Sequence, residues 1–381
     1  MTESTARPIY LDHNATTPVD PRVFEAMRPW FCEEFGNPSS AHPWGRRARA
    51  AVERAREQVA VLIGARSGRI VFTGGGSESN NLAIHGVAAA SRGHRMRLVC
   101  SAIEHPAVTA PLAALARRGF EVVRLGVDRR GVVDPGALRE AIDGNTLLVS
   151  VMHANNEVGT IEPVAEVAAA AHQAGATVHC DAAQSVGKIP VDVEALGVDL
   201  LTVAAHKFHG PKGVGALWIR DGVELVRRVH GAAHEYGLRA GTENVPGIVG
   251  LGAAAEIAGR ELAAAMPRVR VLRDRLRAAL ERELGELVVH GDPEAGLPNT
   301  LSVALGVPAA ELLAALDGEV AASAGAACHD GGAVLSPVLA ALGVPAGVAR
   351  CTVRLSVGRT TTEAEVDRAA GRIVAAVRRL R

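Results

Sequence analysis

Between about residues 70 and 219, short apolar runs alternate with alanine-rich stretches. The runs are residues 70–73, 98–101, 121–127, 146–153, Thr177–Asp181, Leu200–Ala204 and Gly215–Ile219. Each is rich in branched and apolar residues and is bounded by polar or glycine-rich turns, the pattern of buried strands. The stretches between them, residues 79–90, 107–118 and 163–174, predict helices. Such alternation predicts a mostly parallel, three-layer α/β sheet. A glycine-rich connection between the last two runs predicts one antiparallel strand. Beyond about Glu256 the texture changes. A charged helix is expected over residues 262–284, short alternating runs at 287–290, 299–303 and 351–355, and a final helix over 363–379. This predicts a smaller α+β domain from residues 1–15 and 259–381 beside a large domain over 16–258.

Composition supports a soluble, globular chain. Its 381 residues are 48% hydrophobic and 22% charged, enough apolar material for a large core. Lys plus Arg and Asp plus Glu both total 41, so no net positive field favours nucleic acid or an anionic membrane. No stretch of about 18 uncharged apolar residues predicts a membrane span, and the N-terminus has no apolar leader core. The five scattered cysteines do not make a disulfide framework and suit a reducing cytoplasm.

The chemistry gathers at the ends of the predicted strands. Asp181 ends one run, and His206-Lys207 follows the run ending at Ala204. In open α/β sheets, ligands bind beyond the carboxyl ends of the strands. An acid and a lysine on one rim suit pyridoxal phosphate (PLP), whose chemistry needs a lysine Schiff base and an acidic partner for the pyridine nitrogen. Gly74-Gly75-Gly76-Ser77-Glu78-Ser79 follows another run and opens a helix, so its backbone N–H groups can cradle an anion. The segment is neither a Walker A loop nor a dinucleotide fingerprint, and alone it also reads as a plain glycine turn with a serine cap. His105, before Pro106, sits where it could stack on a planar cofactor or remain a lone surface histidine. The Asn155-Asn156-Glu157 segment reads equally as a turn. Cys328 lies among small residues and glycines over about 323–335, the setting of a mobile thiol or of an incidental loop cysteine. Arg354 alternates with apolar residues, and its fork could clamp a carboxylate or face water from a sheet edge. No histidine–acid or cysteine spacing predicts a metal site.

Taken together, these segments resemble the cysteine desulfurases, the NifS-type branch of class V, fold-type I PLP enzymes. The resemblance is carried by 10–18 (YLDHNATTP), 36–40 (GNPSS), 77–81 (SESNN), 155–159 (NNEVG), 181–184 (DAAQ), His206-Lys207, 239–244 (RAGTEN) and 354–359 (RLSVGR), in order and almost end to end. It implies that Lys207 would carry PLP and act as a base, Asp181 would pair with the pyridine nitrogen, and Gln184 would bond the ring oxygen. His105 would stack on the ring and shuttle protons, while Gly76, Ser77 and His206 would cup the phosphate. Thr242 would reach a partner subunit's phosphate, implying a homodimer. Asn156 and Arg354 would bind the substrate carboxylate. Cys328 would take sulfur from L-cysteine as a persulfide and pass it to a sulfur-acceptor protein. Selenocysteine lyase, acting on L-selenocysteine, is the alternative within this group; a class V aminotransferase and a non-catalytic scaffold are more distant ones. Two positions and one segment depart from the pattern. Ala204 stands in place of a serine that would bond the phosphate, Gly74 replaces a serine, and Gly231-Ala232-Ala233-His234-Glu235 replaces a more glycine-rich segment. The first departure predicts weaker cofactor retention.

Overall fold

The computed structural model describes residues 7–91, 93–329 and 332–381, with 326–329 and 332–334 described as backbone only. Its large sheet is built from β1 (Arg69–Thr73), β2 (Arg97–Ser101), β3 (Glu121–Leu125), β4 (Thr146–Ser150), β5 (Thr177–Asp181), β6 (Leu200–Ala204) and β7 (Gly215–Ile219), in the spatial order β1-β7-β6-β5-β4-β2-β3. All pairs are parallel except those of β7, which runs antiparallel to both neighbours. The apolar runs are read correctly as strands, including the antiparallel one.

Alternation along the strands shows why the sheet is covered on both faces. Ile70, Phe72, Leu201, Val203, Ala216 and Trp218 belong to one apolar cluster, whereas Val71, Leu200, Leu217 and Ile219 belong to another. Because successive side chains point to opposite faces, each strand feeds two cores. One is closed by α1 (Pro43–Leu62), the other by α2 (Gly76–Ala90) and α3 (Pro106–Ala116). Two expected runs are too long. The run 146–153 stops pairing at Ser150, although Val151 and His153 still donate to His179 O and Asp181 O at 3.1 and 2.9 Å. The run 121–127 ends as a strand at Leu125. Burial continued in the sequence where the full ladder did not.

After α4 (Val164–Gln173) on the large sheet, a single helix, α5 (Val245–Leu284), links the two halves of the molecule. Its residues from Val245 to Ala258 join the large-sheet core, and those from Val269 to Leu280 join the second core. Sequence patterning begins this helix only at Leu262. The preceding turns are glycine- and alanine-rich and buried on several sides, so they show no polar stripe. Close packing explains the glycines: a Cβ on Gly252 would stand 2.7 Å from Ala55 Cα of α1. The second core lies against an antiparallel sheet of β8 (Val288–His290), β9 (Thr300–Ala304), β10 (Ser323–Ala324) and β11 (Thr352–Ser356), in the order β10-β11-β9-β8, and α6 (Glu363–Leu380) packs on it. The N-terminal Ile9–Tyr10 pairs in parallel with Val320–Ala321. The chain then crosses to the large sheet, so residues 13–17 lie between the halves. The segment read as a cysteine loop has hairpin backbone, Ala326–His329 against Gly332–Leu335, with Cys328 opposite Ala333. The Cys328 side chain lies outside what is described.

Candidate active site

At the carboxyl ends of β5 and β6, opposite the start of α2, lies a cleft of about 230 Å³. Eight residues expected from the sequence line it: Gly76, Ser77, His105, Asn156, Asp181, Gln184, His206 and Lys207. Parallel strand order decides this convergence. Strand ends far apart in sequence are neighbours in the sheet, and the turns that follow them face one space.

Gly75 adopts φ 144°, a conformation that favours glycine, and hands the chain into α2 at Gly76. The first N–H groups of that helix have no partners within the helix and point toward the positive end of its dipole, forming an anion cup. Ala204 closes the cup from β6; a Cβ placed on Gly76 would stand 3.4 Å from that of Ala204. Across the cleft, Asp181 is buried. Its Oδ1 accepts from Ala183 N at 2.9 Å and its Oδ2 from Asn80 Nδ2 at 2.7 Å. Two neutral donors thus fix the orientation of this carboxyl group at the cleft wall.

Lys207 sits in a single 3₁₀ turn after β6 and donates to Asn14 O at 2.7 Å and Ala15 O at 2.8 Å. Burial, with the Arg354 cation adding to it and Asp181 and Asp12 opposing it, lowers its pKa to about 8. A fraction of the amine is therefore free near neutrality, as attack on a carbonyl requires. His206 is bonded through Nδ1 to Thr16 Oγ1 at 3.1 Å, and burial with nearby Lys207 lowers its pKa to about 4. It is neutral at pH 7. His105 caps α3: its Nδ1 accepts from Ala107 N at 3.0 Å, which puts the ring proton on Nε2.

The adjacent asparagines divide their work. Asn155 is fully buried and ties a turn, donating to Ile103 O and accepting from Glu157 N and Val158 N. Asn156 lines the cleft, while its carbonyl accepts from Arg354 Nη1 at 2.9 Å. Arg354 lies outside the cleft lining and is buried behind Asn156. Its Nη2 reaches Asp12 Oδ1 at 2.6 Å and Ser323 Oγ at 3.0 Å. Thr242 is exposed and does not line this cleft. The divergent 231–235 segment is anchored by buried Glu235, which accepts from Phe72 N at 2.8 Å and from both Arg56 Nη atoms at 3.0 and 3.1 Å.

Sequence reasoning missed Asn80, Asn14 and Lys188. Asn80 stands one helical turn after Ser77, a spacing that puts both at the same end of α2. Asn14 had no such signal, because its partners Lys207, Gln184, Asn156 and Asn299 come from four other segments.

An acid, an amine on a strand-end lysine and a helix start with free N–H groups thus meet on one rim of the sheet. The Aminotransferase class-V family matches residues 9–369, and the chain belongs to that family, in its cysteine desulfurase branch. It is 49% identical over 377 residues to "Cysteine desulfurase IscS" of Anaeromyxobacter dehalogenans (strain 2CP-C), covering 98% of this chain and 93% of that one. Among solved structures, a "NIFS-LIKE PROTEIN" superposes with TM-score 0.91 at 40% identity, covering 97% of this chain and 99% of the other. "SspA in complex with cysteine" superposes with TM-score 0.82 at 34% identity, covering 94% and 100%.

Proposed function

We propose that this protein is a PLP-dependent cysteine desulfurase that converts L-cysteine to L-alanine and keeps the sulfur as a persulfide on Cys328. The observation that carries the reading is the meeting of Asp181, Lys207 and the Gly76 helix start around one cleft. These residues fit PLP. The helix start suits a phosphate dianion, Asp181 suits a protonated pyridine nitrogen, and Lys207 supplies an amine of lowered pKa. Buried Asn80 Oδ1 has no hydrogen-bond partner at this same wall, so the cleft retains unused polar capacity. When bound, PLP supplies an electron sink that lets the α-proton of an amino acid leave.

The chain's own residues carry the remaining steps. Asn156, on the cleft wall, is proposed to meet the substrate carboxylate, with the Arg354 cation held directly behind it by Asp12 and Ser323 to complete the carboxylate site. The Lys207 amine takes the α-proton, and the Nε2 face of His105 is open for proton transfer at the cleft. The Cys328 thiolate attacks the substrate sulfur. The substrate carbon–sulfur bond breaks, a sulfur–sulfur bond forms, and a proton ends on the former thiol carbon to give alanine. Carbon is reduced and sulfur oxidised, so no external oxidant is consumed. The persulfide then passes to a sulfur-acceptor protein. Thr242, exposed and not part of its own cleft lining, is proposed to serve the partner subunit's phosphate in a homodimer.

Replacing Cys328→Ser tests the reading. The PLP absorbance band should persist while protein-bound persulfide and alanine release from L-cysteine are lost. Normal alanine release by that variant would overturn the assignment.

A further inference from the structure

Behind Lys207 lies a second lysine that the proposed chemistry does not use. Lys188 follows Gln184 by four residues in a turn after β5, a spacing that puts both on one side. It is 5% exposed and borders a small cavity of about 40 Å³ shared with His13, Lys207 and His209. Its Nζ donates to Gln184 Oε1 at 2.5 Å and to Asn14 Oδ1 at 2.9 Å. Burying a lysine is costly unless its donors are matched, and here both partners are oxygens of amides.

The surrounding bonds leave these amides only one orientation. Gln184 Nε2 donates at 2.9 Å to Asn14 O, a carbonyl that can only accept. Asn14 Nδ2 donates to Asn156 O at 3.2 Å, and Asn299 Nδ2 donates to Val357 O at 3.2 Å and to Asn14 Oδ1 at 2.9 Å. Gln184 Oε1 must therefore face Lys188. One Gln184 N–H is spent on Asn14 O, and the other is left for the cleft that Gln184 lines.

We propose that Lys188 is a positioning residue that locks the Gln184 carboxamide with an N–H toward the cleft, as a donor to the ring oxygen of PLP. The inference rests on the cofactor reading above. A donor at that oxygen lowers its basicity, and with it the pH midpoint of the visible band of the PLP-loaded protein. Burial, with the Lys207 and Arg354 cations adding to it, depresses the proton affinity of Lys188 itself, and His13, His206 and His209 are the titratable groups that lie within reach of its charge.

Spectrophotometric pH titration of the loaded protein tests this, with circular dichroism verifying the fold. Lys188→Met should raise the midpoint by about one pH unit. Gln184→Leu should raise it as well, and the double variant should match Gln184→Leu alone, because the two residues act as one unit. Lys188→Arg, which keeps donors and charge, should restore the wild-type midpoint. An unshifted Lys188→Met, or a double variant equal to the sum of the single shifts, overturns the proposal. Where Lys188→Met does not fold, a Lys188→Arg midpoint raised as far as that of Gln184→Leu does the same. Absence of a PLP band in the wild type overturns the cofactor reading itself, and this inference with it.

Discussion

Adding one hydroxyl at Ala204 should tighten cofactor binding. The residue is the last of β6, lines the cleft and faces the Gly76 helix start, where a phosphate dianion is proposed to sit. Serine there adds a donor, and a hydrogen bond to a charged group contributes about 1.5–3 kcal/mol. At about 1.4 kcal/mol per tenfold, Ala204→Ser should lower the PLP dissociation constant about 10- to 150-fold. The assay is titration of the PLP-free protein, followed by quenching of its tryptophan fluorescence. Pyridoxal, which lacks the phosphate, supplies the control and should bind both proteins equally. The hydroxyl gains its charged partner only with the phosphate, so the variant should gain thermal stability only when PLP is present. A PLP affinity unchanged by the substitution, or an equal gain with pyridoxal, would refute the assignment of this wall to the phosphate.

Two further outcomes follow from buried charges. Glu235→Ala leaves Arg56, whose side chain is 13% exposed, without its buried partner and strips Phe72 N–H of its acceptor. The loss should be about 3–5 kcal/mol, seen as a lower melting temperature and partly recovered by adding Arg56→Met; an unchanged melting temperature would refute it. Glu104 is buried beside Ser101 and Met152 N, and burial raises its pKa to about 8. The folded state thus holds a proton that the unfolded chain releases near pH 4.5. Its contribution is fully present below that value and is lost as pH rises through about 8. Glu104→Gln, neutral throughout, should therefore melt higher relative to wild type at pH 8 than at pH 5. Parallel melting curves across that range would refute it.

Much of the site was legible because it is made of local signals. Asp181 and Lys207 each end or follow an apolar run, and Gly75-Gly76 opens a helix, so their place on the rim follows from strand recognition alone. Arg354 was recognisable as a strand arginine, but not as one already held by Asp12 and Ser323. Those contacts join segments more than 300 and about 30 residues away. Asn155 and Asn156 look alike in sequence; the fold buries one in a turn and leaves the other on the cleft wall. The start of α5 was missed because its burial on several sides erased the amphipathic stripe that marks a surface helix.

The sequence by itself determined the alternation of strands and helices, and thereby a parallel sheet with its chemistry at the strand ends. Hydrophobic period and turn residues are local, and they suffice for that. Only the tertiary structure decided that Asn14 would join Lys207, Gln184 and Lys188 in one buried network, or that Glu235 would anchor Phe72 beside the anion cup. Such bonds depend on which distant segments close-pack. No periodicity along the chain records that, because the hydrogen-bond partners of a buried polar group are chosen in space.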